Sequence, residues 1–166
     1  MKYIFLVILI LFISCNASAT AQMPDKIIYK GKEYALHSNP MEEYFEKYPD
    51  KKPKRGIMST ALWRGYVAIF EVKDNQLLLK DIKIMVENES LKDKFSTKWE
   101  SVMMEIFPNQ ATIKIDWITG LLIIPHGKLV NYVHMGYGST YENYILLEIS
   151  KGELQKEKKF GYKEYE

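Results

Sequence analysis

Runs of alternating apolar and polar residues, separated by turn residues, recur along most of the chain and predict β-strands. Residues 26–29 and 32–36 are two such runs around a Lys-Gly turn, and they predict a small β-hairpin. Residues 60–72 and 77–86 flank a polar turn and predict a second pair of strands. Because residues 60–72 are apolar on both alternating faces, we expect that strand to be covered on both sides of the sheet.

The strand pattern returns in the last third of the chain. Ile113, Ile115 and Trp117 alternate with polar residues, which is typical of a strand with one buried face. Further strands are predicted at residues 121–124 between turns at 119–120 and 126–127, at residues 129–135 and 141–149 around the glycine-rich turn 136–140, and at residues 153–158.

Two helices are predicted between the strands. Asn39 precedes Pro40, and two glutamates follow in the next turn, which is a pattern that begins a helix with Asn39 as its cap. Pro49 ends this first helix. The second helix is predicted from Ser96 or Thr97 to Phe107, because apolar residues recur there at helical spacing: Trp99, Val102, Met103 and Ile106.

These elements follow one another without a strand–helix–strand rhythm, and hairpin succeeds hairpin. The pattern therefore predicts an α+β fold, in which a curved, mostly antiparallel sheet carries two inserted helices. Residues 26–160 are long enough for a single domain with a hydrophobic core, and the charged residues 161–166 are expected to form a frayed tail.

The N-terminus has the pattern of a bacterial export signal. Lys2 precedes an apolar run at residues 3–13, and small residues follow it, so that residues 1–19 are expected to be removed before Thr20, or a little later before Gln22. The run is shorter than the roughly 20 residues that span a bilayer comfortably, so a retained membrane anchor is the less favoured alternative to cleavage. These features place the mature protein outside the cytoplasm.

Cys15 offers an alternative way of processing the same signal. It follows the apolar run directly and is preceded by the small Ser14, as in a bacterial lipoprotein signal. In that case residues 1–14 are removed and Cys15 carries a lipid, so that the protein is attached to the membrane. The sequence leaves a free periplasmic protein and a lipoprotein both open.

Composition excludes several classes of function. The full chain has 23 basic and 21 acidic residues, and loss of Lys2 with the signal leaves 22 against 21, a mature net charge of +1. Such a balance does not indicate nucleic-acid binding, which needs a concentrated basic face. Cys15 is the one cysteine, so the folded domain has no disulfide, no thiolate nucleophile and no cysteine metal site. No cofactor is expected.

Several stretches resemble a group of small exported bacterial proteins of unassigned function. They are TALWRGYVAIFEV at residues 60–72 and YVHMGYGSTYENYILLEI at residues 132–149, together with the opening IIYKGKEYAL and NPMEEYF. The resemblance covers most of the mature chain. It implies export into a Gram-negative envelope and a common fold, and it supplies no catalytic residues.

Aromatic residues and one arginine mark the candidate binding surface. Trp63, Arg64 and Tyr66 are of the residue types that dominate binding hot spots. The alternative interpretation is structural: the aromatic rings lie in the core, and Arg64 pairs with a carboxylate such as Asp81 or Asp116. The tyrosine-rich hairpin adds three further candidates for a binding surface, namely Tyr132, Tyr137 and Tyr141.

Candidate catalytic residues are sparse. The chain has no G-x-S-x-G, H-E-x-x-H or Walker motif. His126 and His134 could combine with Asp116 or Glu142 in a hydrolase-like site, and Ser139 near His134 could serve as a nucleophile. Glycine and serine also suit a hairpin turn, which is the structural interpretation of the same residues.

The leading hypothesis is a non-enzymatic envelope protein that binds a partner protein or a small ligand. Its recognition surface would combine the region of Trp63–Tyr66 with the hairpin around residues 132–144. Two alternatives remain: a small envelope hydrolase, and a structural lipoprotein tethered through Cys15. No nucleic-acid partner is expected, and the membrane is contacted only through a lipid on Cys15.

Overall fold

A computed structural model describes residues 20–88 and 96–164. The predicted export signal, Cys15, the residues 89–95 and the last two residues of the predicted tail lie outside the described residues. The strands are β1 Asp25–Tyr29, β2 Lys32–Leu36, β3 Val67–Lys73, β4 Gln76–Glu87, β5 Thr97–Ser101, β6 Ile113–Lys114, β7 Gly120–Asn131, β8 Thr140–Ser150 and β9 Glu153–Gly161. The helices are α1 Pro40–Lys47 and α2 Met103–Ile106, and short 3₁₀ turns lie at Pro49–Lys51 and Tyr162–Glu164.

All of these strands join one mixed sheet, in the order β2-β1-β3-β4-β9-β8-β7, with β5 and β6 also paired to β4. The β1–β3 pair is parallel, and the other strand pairs are antiparallel. The prediction of an α+β fold with an antiparallel-rich sheet is therefore confirmed. Across the described residues, no helix is long and apolar enough to cross a membrane.

The two ends of this sheet order come together. His37, directly after β2, donates its backbone N–H to the carbonyl oxygen of Ile123 in β7 at 2.8 Å. The inward side chains from both ends of the sheet form one hydrophobic cluster, which includes Ile27 and Phe70 as well as Ile124 and Leu147. Burial of this cluster is the main favourable term in the stability of the fold.

The predicted hairpins are present, and their turns have the expected backbone. Lys30 and Gly31 between β1 and β2 both have positive φ, at 51° and 77°, as do Asp74 and Asn75 between β3 and β4 at 51° and 59°. Two consecutive turn residues with positive φ give a two-residue hairpin loop the same sense of twist as the strands that it joins.

Helix α1 begins at Pro40 and ends before Pro49, as the sequence predicts, with both glutamates in its first turn. Asn39 occupies the cap position without a side-chain hydrogen bond to the helix. Its side chain instead accepts a hydrogen bond from Tyr137. The predicted capping role of Asn39 is therefore wrong, because a tertiary contact uses the amide oxygen.

The prediction of a helix over residues 97–107 is also wrong for its first half. Thr97–Ser101 forms β5 and pairs with the second half of β4, and the helix α2 comprises only four residues. β4 is 12 residues long and offers backbone groups to several strands. Residues 97–101 therefore form a strand despite the helical spacing of their apolar residues, because this pairing satisfies free backbone N–H and C=O groups of β4.

Residues 60–66 form a turn rather than the first half of a strand. Leu62 and Gly65 donate backbone hydrogen bonds to Ser59 and Leu62, and Gly65 has φ of +79°. β3 therefore begins only at Val67. The predicted strand is wrong at its start because Gly65 permits a backbone conformation that residues with a Cβ rarely adopt.

In the last third of the chain, β7 is longer than predicted. The strand continues through His126 and Gly127, where the pairing with β8 shifts its register instead of turning. The alternation of Ile113 and Ile115 as buried residues is confirmed, although β6 itself has two residues.

Gly152 provides a test of the packing between the two parts of the sheet. A Cβ at this position would lie 1.6 Å from the carbonyl oxygen of Ile115, whereas a Cβ at Gly31 meets nothing within 4 Å. Both glycines have φ near +78°. We expect Gly31→Ala to lower the free energy of unfolding by about 1 kcal/mol, and Gly152→Ala to lower it by about 3 kcal/mol or more, because backbone must move. Urea unfolding followed by tryptophan fluorescence measures both, and equal losses would contradict the packing described.

Candidate functional site

A charged pair is buried inside the fold, beside the first described residues of the chain. Asp25 has no exposed surface and Arg64 is 4% exposed. The Nη2 atom of Arg64 lies 3.1 Å from Oδ1 of Asp25, and it also donates to the carbonyl oxygen of Met23 at 3.1 Å. The backbone N–H of Ala68 donates to the same Asp25 oxygen at 2.9 Å. The pair thus joins the start of β1, the start of β3 and the turn before β3.

Strand geometry explains why Asp25 is buried. It occupies the first position of β1, in phase with the inward-facing Ile27 and Tyr29. Since alternate side chains of a strand share a face, the carboxyl group points into the interior. The parallel pairing of β1 with β3 then places it beside Ala68.

Tyr137 extends this pair to the glycine-rich loop between β7 and β8. Its hydroxyl accepts a hydrogen bond from Nη1 of Arg64 at 3.2 Å and donates one to Oδ1 of Asn39 at 2.8 Å. Its ring stacks on His37, with centroids 4.6 Å apart and an angle of 12° between the planes. The ring of Tyr141 also contacts the His37 ring, edge to face, with centroids 5.6 Å apart.

A second polar branch begins at Tyr66, which has no exposed surface. Its hydroxyl donates to Oε1 of Glu42 on α1, and Lys52 pairs with Oε2 of the same carboxylate at 3.1 Å. The Lys52 ammonium also lies 5.9 Å from the ring centroids of Trp63 and Tyr66. Helix α1 is thereby connected to the residues around Arg64.

Burial changes the protonation of two members of this network, in opposite senses. Removal from water raises the pKa of Asp25 to about 7, although the Arg64 guanidinium and the Ala68 N–H act to lower it. Oδ2 of Asp25 is buried without a hydrogen-bond partner among the described residues, which adds to the cost of the charged form. Burial lowers the pKa of His37 to about 4, so that its imidazole is neutral at neutral pH.

The first described residues, 20–23, pass between the turn at residues 59–65 and the loop at residues 132–139. Gln22 donates its backbone N–H to the carbonyl oxygen of Gly136 at 3.0 Å, and Met23 donates to that of Ala61 at 2.8 Å. The Thr20 hydroxyl donates to the Thr60 hydroxyl at 3.0 Å. Three segments from distant parts of the sequence therefore form one continuous surface.

Exposed apolar side chains belong to this surface. Met58 and Trp63 lie in or beside the turn, and Tyr132 and Met135 lie in the loop; their exposed fractions are 67%, 51%, 53% and 66%. We call these four residues the apolar rim. Large side chains of this kind are normally scattered singly on a surface, whereas these four occur on two adjoining segments.

Two cavities lie near the network. A small one of about 200 Å³ is lined by His37, Tyr137 and Ser139, among others. A larger groove of about 470 Å³ lies on the sheet face that includes Val67, Ile69 and Trp99. The Ser139 hydroxyl at the small cavity donates to the carbonyl oxygen of Val133 and accepts from its N–H, so it serves the loop conformation.

The predicted catalytic residues are spread over several elements. His126 lies on β7 with its ring 6.1 Å from that of Tyr34, and His134 contacts the ring of Tyr132 at 4.6 Å. Glu142 accepts the backbone N–H of Lys128, and Asp116 is exposed between β6 and β7. Within residues 20–88 and 96–164, no hydrogen bond joins either histidine to a carboxylate, and no three His, Cys, Asp or Glu residues could hold a metal ion.

The predicted binding residues fall into two sets. The network contains Arg64, Tyr66, Tyr137 and, through His37, Tyr141, whereas Trp63 and Tyr132 are exposed on the apolar rim. Arg64 pairs with a carboxylate, as the structural interpretation predicts, but the partner is Asp25 and not Asp81 or Asp116. Asp81 accepts a hydrogen bond from Ser101 and lies near Lys83. Sequence analysis missed Asp25, although its position in phase with Ile27 and Tyr29 is a usable signal for a buried carboxylate.

Comparison of the chain with protein-family models, with curated proteins and with solved structures found no match.

The opposite pKa shifts of Asp25 and His37 predict two contributions to the pH dependence of stability that have opposite signs. A raised carboxyl pKa contributes stability that is present below about pH 4 and lost as the pH rises to about 7. A lowered imidazole pKa contributes stability that is present above about pH 6.5 and lost as the pH falls to about 4. The two effects oppose each other over nearly the same range.

Asp25→Asn removes the first effect and leaves the second. Relative to the wild type, we expect this variant to become more stable as the pH rises from 4 to 7, by an amount on the order of 1–4 kcal/mol, and to show a constant difference above pH 7. Urea unfolding at five pH values measures the difference. Parallel stability profiles for the two proteins would contradict the raised pKa.

Proposed function

We propose that this chain is an exported, non-enzymatic binding domain of the bacterial cell envelope, and that the apolar rim is its recognition surface. The single observation that carries the proposal is the exposure of Met58, Trp63, Tyr132 and Met135 on two adjoining segments. Tryptophan and tyrosine are the residues that most often anchor an interface, and methionine adapts its shape to a partner.

The network beneath the rim supports a binding role. Arg64 directly follows the rim residue Trp63, and Tyr137 lies in the loop that carries Tyr132 and Met135. The hydrogen bond between Arg64 and Tyr137 joins the turn to the loop. A surface whose backbone is held before the partner arrives loses less conformational freedom on binding. Buried hydrogen bonds to a charged group are also among the stronger ones in proteins.

The geometry supports binding better than hydrolysis. The hydroxyl of Ser139 is engaged in its own loop, and the ring contacts of His126 and His134 are with tyrosines. A nucleophile and its base have to lie within hydrogen-bond reach of each other, and a general base has to be held by a third group. These histidines make aromatic contacts in place of such hydrogen bonds.

A photo-reactive amino acid placed in the full chain tests the proposal in intact cells. At Tyr132 we expect a defined cross-linked adduct, and we expect Trp63→Ala to reduce its yield at least severalfold, because the two side chains belong to one surface. Tyr137 is avoided as a test position because it holds the network together.

Lys73 supplies the control. It is exposed at the end of β3 away from the turn that carries Trp63, roughly 20 Å from the start of the strand at the rise of about 3.3 Å per residue. The same photo-reactive group at Lys73 is expected to give no such adduct. Equal adducts at both positions, or none at Tyr132, would contradict the assignment of the rim. Mass analysis identifies the adduct as protein or lipid.

A further inference from the structure

The position at which the chain enters the fold constrains what the apolar rim can face. Thr20 hydrogen-bonds to Thr60 in the turn, and the neighbouring Ala21 and Gln22 contact Gly136 in the loop. The chain therefore enters the fold between the two segments that carry the rim. Whatever precedes Thr20 starts from this end of the molecule.

The sequence before Thr20 contains both possible means of membrane attachment. Cys15 is only five residues from Thr20, and the apolar run 3–13 lies directly before it. At the maximum extension of about 3.4 Å per residue, five residues reach about 17 Å. A lipid on Cys15 would therefore hold the rim close to the bilayer surface.

The residues of the rim suit this environment. Tryptophan and tyrosine are enriched where a membrane meets water, because each has an apolar ring and a polar group that can remain hydrated. Met58 and Met135 add flexible apolar side chains to both segments.

The charges beside the rim are largely compensated. Lys52 pairs with Glu42, Lys54 lies 3.6 Å from Asp50, and Arg55 pairs with Glu100 and Glu105. The attraction to anionic lipid headgroups is consequently small, and apolar insertion has to supply most of the binding. A membrane contact of this kind depends little on salt.

We propose that the partner of the apolar rim is the surface of a lipid bilayer, into which Trp63, Tyr132 and the two methionines insert beside the attachment point of the chain. This inference rests on the proposed binding function and names the class of partner. Two weak contacts on one molecule reinforce each other, because the first holds the second at a high effective concentration.

Quenching of tryptophan fluorescence by brominated lipids tests the inference. The full chain, processed as cells process it, is incorporated into or mixed with vesicles of phosphatidylethanolamine and phosphatidylglycerol with brominated acyl chains. Trp63 is the rim residue, and Trp99 and Trp117 report from elsewhere. We expect strong quenching in the wild type and at least a twofold smaller quenched signal in Trp63→Phe, in both low and high salt.

The control places a tryptophan at the end of β3 away from the chain entry. In Trp63→Phe combined with Lys73→Trp, the added residue is exposed at that end of the strand, and we expect it to remain unquenched. Equal quenching of the wild type and Trp63→Phe, or quenching of the tryptophan at position 73, would overturn the inference.

The two experiments separate the two proposals. A protein adduct at Tyr132 without lipid quenching overturns the membrane inference and leaves the binding function in place. If neither an adduct nor quenching occurs, both proposals fail. Lipid adducts at Tyr132 together with quenching of Trp63 support both.

Discussion

The buried ion pair of Asp25 and Arg64 is the interaction on which the arrangement of this end of the molecule depends. Two charges removed from water are expensive, and such a pair is tolerated only when further hydrogen bonds satisfy both groups. Here the carbonyl of Met23 and the hydroxyl of Tyr137 accept hydrogen bonds from Arg64, and the N–H of Ala68 donates to Oδ1 of Asp25, whereas Oδ2 of Asp25 has no partner among the described residues. Removal of one partner from a buried pair typically costs about 3–5 kcal/mol, because the other charge is left uncompensated. The pair therefore commits four separate segments of the chain to one arrangement.

That arrangement has a direct consequence for the surface. The turn that carries Trp63 and the loop that carries Tyr132 are fixed relative to each other through Arg64 and Tyr137, and the entering chain lies between them. The β3–β4 and β8–β9 turns, in contrast, are built from polar residues and glycine. In the membrane contact proposed above, the network would orient the domain as well as stabilise it.

Much of the fold could be predicted from sequence because its signals are local. The Lys30-Gly31 and Asp74-Asn75 turns specify hairpins through the backbone conformations they permit, and Pro40 with the acidic first turn specifies α1. Residues 97–101 could not be predicted, since their state depends on the free edge of β4, a long-range feature.

The candidate site shows the same division between local and distant information. Trp63, Arg64 and Tyr137 stand out by residue type, so sequence analysis could identify them as candidates. Their partners Asp25, His37 and Asn39 are ordinary polar residues at the ends of elements, and only the tertiary structure brings them to Arg64 and Tyr137. The burial that shifts the pKa of Asp25 and His37 is likewise a property of the folded chain. The local signal for such a group is an acid in phase with the inward-facing residues of a strand, as Asp25 is with Ile27 and Tyr29.

The most direct test of this account is amide hydrogen exchange in Tyr137→Phe, which removes one hydroxyl from the network and keeps the ring that stacks on His37. We expect the amides of Gln22, Met23 and Gly65 to lose protection together, by about tenfold or more, since a hydrogen bond to a charged group contributes about 1.5–3 kcal/mol. The amide of Leu77, which donates to Gly152 at the other end of the sheet, should keep its protection. Loss of protection confined to the loop that contains Tyr137 would contradict the claim that the buried pair holds these segments as one unit.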